Sequence, residues 1–515
     1  MRNLFRSFFT VSFFTTFSRI LGFIRDIFIA KYLGSTVISD AFFVAFRIPN
    51  FFRRVFAEGA YSAALIPVLS GIVINKKNNK DAHDFIESTG SFLFFSTVIL
   101  TIIFYLGMPF FIQILAPGFT KNIEAYNYAV HFGKIIFPYI IFISLVSHFT
   151  SIMNVHGRFA AGSFAPSLLN ISLIFSLLVY SSFFSTAGHA LSYGVLLGGL
   201  LQFILMYGSI LKFYRPLLKI PKINQKVKNF FKLFFPAIIG SGVIQLNIVI
   251  GTIIASFLPI GAISHIYYAD RLNQFPLAIF GIALGVVLLP SLSKSIKKFN
   301  FKEINNIQNR SLEFSLLISL PSAIGLFILS FPIINILFQR GEFLPIDTYY
   351  TSQTLSIFSV GLPAYILIKV LVTCFFARED TKTPLYISII SVLINIILSL
   401  IFIQTMREMG IALATSISAW VNALLLFLIL KRNKDFELDN KIKKNIFKII
   451  ISVLFMGLIC FLLNENWFVN LDQMAFSLKV SLLLIIIALC NLIYTLLIFM
   501  LKVITIHDLK SYIKK

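Results

Sequence analysis

Residues 18–70 read SRILGFIRDIFIAKYLGSTVISDAFFVAFRIPNFFRRVFAEGAYSAALIPVLS. Apolar runs long enough to cross a bilayer alternate here with Arg19, Arg25, Asp26, Asp40, Arg47, Arg53, Arg54 and Glu58. A spanning helix needs about 20 mostly apolar residues, and a charge at mid-membrane costs at least ~2.5–3.5 kcal/mol on insertion scales. So dense a cluster is therefore expected to face a polar cavity. Outside this stretch the chain is more uniformly apolar: of 515 residues, 58% are hydrophobic and 13% charged, the composition of a polytopic all-α membrane protein.

Fourteen transmembrane helices are expected, near 7–33, 38–74, 83–115, 124–153, 163–184, 188–214, 229–257, 261–297, 311–337, 348–376, 384–405, 409–430, 446–464 and 476–503. Their connections alternate in charge. One set is basic, with Lys76, Lys77 and Lys80, then Arg158, Lys212 to Lys232, Lys294 to Lys298, Arg378 and Lys382, and Lys431 to Lys444. The other set (33–39, 116–123, 183–190, 257–265, 338–347, 404–409 and 465–475) is poor in Lys and Arg. This is the positive-inside pattern, and it predicts a multi-pass membrane protein with both termini cytoplasmic. The N-terminal run has no small-residue cleavage site and is interrupted by Arg19 and Arg25, so it is expected to be the first span and not a signal peptide.

The net charge of +23 does not predict a nucleic-acid partner, because the basic residues sit in short loops between spans. Cys374, Cys460 and Cys490 all fall within apolar segments without Cys/His ligand spacing, so neither disulfide nor metal site is expected. No nucleophile–base arrangement, paired catalytic carboxylates or phosphate-binding loop occurs, so no cofactor and no catalytic residue is assigned. Uphill transport would then draw on an ion gradient or on the membrane potential, worth about 2.3 kcal/mol per charge per 100 mV.

An internal repeat is visible. AYSAALIPVLS (60–70) and ALGVVLLPSLS (283–293) coincide at Ala60/Ala283, Leu65/Leu288, Pro67/Pro290, Leu69/Leu292 and Ser70/Ser293, an offset of 223 residues. It predicts an N-terminal six-helix lobe (1–215), a C-terminal six-helix lobe (216–431), and two additional helices with a tail (432–515), a transporter layout. An internally duplicated transporter has no need to dimerise, and a monomer is expected. Interior prolines such as Pro49, Pro138, Pro276 and Pro363 predict bends.

In the second span, Arg47, Asn50, Arg54 and Glu58 fall on one helical stripe, with Arg53 turned about 100° away. Ser18 and Arg25 share a face of the first. Arg54–Glu58 and Arg25–Asp26 can pair, but five arginines face three acids here, and Arg271 beside Asp270 and Lys369 add cations further on. An anion is the natural remaining partner, since the guanidinium fork binds phosphate bidentately.

SRILGFIRD, DAFFVAFRIPNFFRRVFAEGA, YYADRLNQFP, LGVVLLPSLS and AREDTKTP, in this order over most of the chain, resemble the bacterial lipid II flippase family MurJ (MviN), of the multidrug/oligosaccharidyl-lipid/polysaccharide exporter superfamily. The resemblance implies alternating-access transfer of the undecaprenyl-diphosphate-linked peptidoglycan precursor from the inner to the outer leaflet, with lipid II and membrane lipids as partners. It implies a cationic cavity of Arg19, Arg25, Arg53 and Arg271, with Asp40 and Glu58 functionally sensitive; the helical positions and charges read above add Ser18, Asp26, Arg47, Asn50, Arg54 and Lys369 as expected supporting residues. It also implies that the last two helices form a groove for the lipid tail. Helical phase favours Arg54 over Arg53 for the Arg47 face, whereas the family pattern favours Arg53. Some relatives bind sodium through an acid in the seventh helix; here that helix offers Ser241, Gln245 and Asn247. Other readings are a flippase for a different lipid-linked oligosaccharide, a drug exporter, and a membrane enzyme acting on polyprenyl diphosphates. An exporter of cations would want acids in its cavity, and the enzyme would want a carboxylate-rich metal site.

Overall fold

The computed structural model describes residues 2–54, 60–74, 79–179, 183–211, 214–221, 223–277, 282–469 and 471–504. Among them run seventeen α-helices and no strand. They are α1 (Arg2–Leu33), α2 (Val37–Phe52), α3 (Ser62–Ile74), α4 (Asn79–Leu115), α5 (Ile123–Ile136), α6 (Tyr139–Val155), α7 (Ala160–Leu178), α8 (Ala187–Ile210) and α9 (Gln225–Ala255). Then follow α10 (Ala262–Pro276), α11 (Ile282–Lys297), α12 (Phe301–Ile328), α13 (Ser330–Phe338), α14 (Pro345–Phe376), α15 (Lys382–Arg432), α16 (Asn440–Trp467) and α17 (Phe476–Met500). Helix starts are fixed by residues able to accept from the first turn's unpaired N–H groups. Thr36, Asn122, Thr186, Asn224, Asn300 and Asp439 each accept from the backbone N–H three residues on.

Nine helical stretches among the described residues are long and apolar enough to cross a membrane. One, α15, has 51 residues, more than twice the length that ~30 Å of hydrocarbon requires. It turns at Arg407 (φ 52°, ψ −134°), between the two spans expected at 384–405 and 409–430. Gly410 permits the turn, since a Cβ there would lie 2.6 Å from the Phe402 carbonyl oxygen. Likewise α5 and α6 divide one expected span at Phe137–Pro138. Among the described residues, α1 (which carries Arg19, Arg25 and Asp26), α2, α3, α9, α10, α11 and α13 lie outside the nine.

Both α2 and α10 lead into π-type turns. After α2 the chain takes wide π-type turns at Arg53–Arg54 and again at Ala60–Tyr61; after α10 a π-type turn falls at Leu277. The 223-residue offset of the sequence repeat also separates Arg54 from Leu277.

The chain forms two compact units. The first is Met1–Ser264 with Arg340–Phe343. Within it α7 packs on α1 and α8, α8 on α5 and α6, α2 on α5, and α3 on α6 and α9. Small residues allow these approaches, as is usual between helices in lipid: Gly194 abuts Ser176, Gly199 abuts Tyr139, and the Ser172 hydroxyl donates to the Gly194 carbonyl at 2.8 Å. Gly34 (φ 57°) and Gly341 (φ 61°) form a reciprocal contact. A Cβ on the first would overlap the Glu342 carbonyl and on the second the Lys31 carbonyl, while Glu342 N–H donates to that same Lys31 oxygen at 2.9 Å.

The second unit is His265–Gln339 with Leu344–Lys515. Its α14 packs against α11, α12, α13 and α15, around a core that includes Leu371, Cys374, Leu426 and Ile442. A second core, with Ile449, Cys460, Ile486 and Cys490, joins α16 and α17. All three cysteines are buried and unbridged.

Candidate functional site

The charged residues of the first unit separate into distinct local environments. In α1, Arg25 is 9% and Asp26 3% exposed. Arg25 donates to Asp26 Oδ1 through Nη2 (2.7 Å) and Nε (3.0 Å), and through Nη1 to Asn170 Oδ1 (2.9 Å) on α7. The Asn170 amide in turn donates to the Ser18 carbonyl at 3.0 Å. Ser18 and Arg25 are thus joined through one asparagine. Arg19, one residue further along α1, is exposed, as its helical phase relative to Arg25 requires.

Arg47, Asn50, Arg53 and Arg54 are all half-buried. Arg53 Nε donates to Asn50 Oδ1 at 3.1 Å, and Arg54 Nη1 to Gln245 Oε1 on α9 at 3.4 Å. Asn50 and Arg53 are three residues apart, a spacing at which side chains on a helix face meet, and π-type turns fall at Arg53 and Arg54. Glu58 lies outside the described residues.

Asp40 is placed differently from its neighbours in sequence. It is 3% exposed and accepts from the backbone N–H of Gly261 (2.7 Å) and Ser264 (2.9 Å) and from the Ser264 hydroxyl (2.5 Å). A carboxylate on the free N–H groups of a first turn is a favourable capping arrangement, assisted by the helix dipole.

In the second unit, Arg271 donates through Nη2 to the Tyr267 hydroxyl at 3.2 Å, and its guanidinium lies 4.7 Å from the centre of that ring. Beside it, Asp270 accepts from the Gln274 amide. Lys369 is exposed on α14.

Sequence reading missed one buried cluster. His265 Nδ1 is 2.8 Å from Glu408 Oε1, and its Nε2 is 3.3 Å from Asp347 Oδ1. Arg407 Nε is 3.3 Å from Glu408 Oε2, and its guanidinium stacks 4.3 Å from the Tyr350 ring centre. The carboxylates sit on opposite ring nitrogens, so the three side chains do not converge on one point as metal ligands would. No group of three His, Cys, Asp or Glu among the described residues is arranged to hold a metal.

Arg25 is buried and Arg47, Arg53, Arg54 and Arg271 are half-buried, and a guanidinium can bind phosphate bidentately. The family model described as lipid II flippase MurJ matches residues 29–503. The chain belongs to the MurJ family. That family is one of flippases, transporters and not enzymes. The MurJ match includes Arg53 and Arg271 and begins after Arg19, Arg25 and Asp26. A Rhizobium tropici protein named "Probable lipid II flippase MurJ" is 38% identical over 472 residues, 90% of this chain and 88% of its own length. The lipid II flippase MurJ of Burkholderia cenocepacia is 34% identical, over 84% of this chain and 85% of its own. Among solved structures, a lipid II flippase MurJ in an inward closed conformation superposes with a TM-score of 0.79 at 30% identity, covering 95% of this chain and 99% of that one. An inward-facing multidrug resistance MATE transporter of the MOP superfamily gives 0.68 at 13% identity, over 81% of this chain and 94% of its own, a likeness of fold alone.

Proposed function

We propose that this chain is a lipid II flippase of the bacterial inner membrane. It moves the undecaprenyl-diphosphate-linked peptidoglycan precursor from the inner to the outer leaflet by alternating access, driven by the membrane potential or a cation gradient. Arg19, Arg25, Arg53 and Arg271 bind the diphosphate; Ser18, Asp26, Asp40, Arg47, Asn50, Arg54, Glu58 and Lys369 shape or support the cationic site. The observation that carries this reading is Arg25, buried at 9% exposure in a membrane-embedded family and held by Asp26 and Asn170. Its charge is kept inside the helix bundle at a cost that a structural role alone does not require.

The rest of the reading follows the sequence. Two six-helix lobes, 1–215 and 216–431, precede two additional helices that hold the lipid tail, both termini are cytoplasmic, and the protein works as a monomer. The last two helices support the tail assignment through exposed apolar side chains, Leu454, Leu458 and Phe461 on α16 and Leu484, Leu492 and Leu496 on α17. An isoprenoid chain would cover such a face at little desolvation cost.

The test is complementation of a bacterium depleted of its own flippase, with leaflet assignment of lipid II. Restored growth with outer-leaflet lipid II is expected. A well-expressed intact chain that leaves lipid II in the inner leaflet would refute the assignment. Restored outer-leaflet lipid II by alanine variants at all four arginines would leave the function standing and remove the site.

A further inference from the structure

Away from the arginines, the first unit contains a cavity of about 380 Å³ among α4, α6, α8 and the 214–218 segment. This is within the size range of small-molecule sites, and its walls are mainly apolar, with Phe94, Leu145, Phe149 and Phe203 on the helices. Five polar side chains interrupt them, Ser91 and Tyr207 besides the three that follow. Glu87, 6% exposed, is paired with Lys219 Nζ at 2.5 Å; His148, 2% exposed, has its Nδ1 2.7 Å from the Tyr61 hydroxyl. The third is Tyr214. It is 6% exposed and lines the cavity, and its hydroxyl finds no hydrogen-bond partner among the described residues.

A buried, unsatisfied hydroxyl costs free energy, and native structures seldom leave one without a partner. Burial and the carboxylates of Glu87 and Asp84 push the phenol's pKa up, so what it offers is an O–H donor. The missing group is then a neutral or anionic acceptor on a mostly apolar molecule. The surroundings narrow this further. Leu217 and Leu218, on the cavity wall, are 55% and 60% exposed, and Ile204 on the adjoining α8 is 55% exposed. In a membrane-spanning bundle such a surface meets acyl chains. Lys219, beside Glu87, is more than half exposed, and Arg215 lies on the same segment, a basic edge of the kind that meets lipid phosphate.

We infer that this cavity is a binding site for a membrane phospholipid: one acyl chain fills it, an ester carbonyl accepts from the Tyr214 hydroxyl, and the phosphate lies against Lys219. A polyprenyl phosphate fits less well, because it has no ester carbonyl to place at the phenol. The site involves none of the arginines assigned to the transported substrate and does not depend on that assignment.

The full chain in nanodiscs, doped with a phospholipid carrying a diazirine on one acyl chain, tests this by irradiation and peptide mapping. Adducts are expected to concentrate on 86–94 and 207–218. Tyr214→Phe, which removes only the hydroxyl, should lower them threefold or more, within the range of one lost neutral hydrogen bond. Leu145→Trp, which fills the cavity, should abolish them; both variants are checked for monodispersity, and Tyr214→Phe serves alone if the larger change misfolds. Adducts spread evenly over apolar helix faces and insensitive to Tyr214→Phe would overturn the inference. Labelling of these peptides by a polyprenyl phosphate probe but not by the phospholipid would overturn it as well.

Discussion

His265 and Glu408, 143 residues apart in sequence, meet at 2.8 Å with Glu408 fully buried. A neutral imidazole has one N–H, whereas Asp347 faces the other nitrogen, so both contacts are satisfied only when both nitrogens carry protons. Taking away the imidazole leaves two acids facing each other with Arg407 as the remaining cation nearby. His265→Ala should therefore destabilise the second unit by about 3–5 kcal/mol, as removal of one member of a buried ionic group does. Thermal unfolding in detergent should show a marked fall in Tm, and Glu408→Gln a smaller one. Unchanged melting in His265→Ala would refute an energetic role for the cluster.

Asn170 offers a finer probe of the arginine region than Arg25 itself. Asn170→Ala keeps every charge but removes the acceptor of Arg25 Nη1 and the donor to the Ser18 carbonyl. A hydrogen bond to a charged group contributes about 1.5–3 kcal/mol. If Arg25 must be held in place to bind a diphosphate, lipid II transfer should fall about tenfold or more with protein level unchanged. Asn170→Asp would add an acid beside Arg25 and should impair transfer further. Normal leaflet distribution in both variants would mean that Arg25 needs no such positioning.

The start of α16 should respond to acid. Asp439 caps it through Ile442 N–H (2.6 Å) and also pairs with Arg310. Partial burial opposes ionisation, but the Ile442 N–H and the Arg310 guanidinium together hold its carboxyl below the usual value. A depressed folded-state pKa stabilises above the unfolded value, about 3.9, and that contribution disappears as pH falls through the lower folded value. Hydrogen exchange at Ile442, corrected for intrinsic rate, should accelerate below about pH 4. Asp439→Asn should remove most of that acid dependence; an unchanged profile would place its origin elsewhere.

Gly34 and Gly341 should each resist substitution. Both have positive φ, and each lies against the other segment's backbone, so alanine brings conformational strain and overlap with a carbonyl that cannot rotate away. A destabilisation of about 1–3 kcal/mol or more is expected for either single variant, read as lowered Tm. Gly71, whose Cβ would meet nothing within 4 Å, is the control.

The membrane-helical class was legible because hydrophobicity is distributed along the whole chain, and the turn at 404–409 because basic and neutral connections alternate. Less legible were features that depend on contacts across long sequence separations. Asp40 stands in a charged stretch and reads as one more cavity acid; its partners, Gly261 and Ser264, are more than 220 residues away. His265 and Glu408 lie at the edges of connections, where polar residues read as solvated, yet both are buried. The ninth span is expected at 311–337, whereas α12 begins at Phe301, because Asn300 caps the helix there and Asn309 bonds to the Glu437 carbonyl. The phase of Arg53 and Arg54 was not legible for a local reason: a period of 3.6 residues does not hold through a π-type turn, and such turns fall at these two residues.

That turn also makes the direction of a charge adjustable. A π turn holds one residue more than an α turn, so relaxing it to regular geometry would rotate one flank against the other by about 100° without breaking the chain's helical course. Arg53 and Arg54 differ in direction by the same angle, so such a register slip would exchange which guanidinium occupies a given bearing. A second wide turn falls at Leu277, 223 residues after Arg54, so the same one-residue adjustment is open at the corresponding position of the sequence repeat.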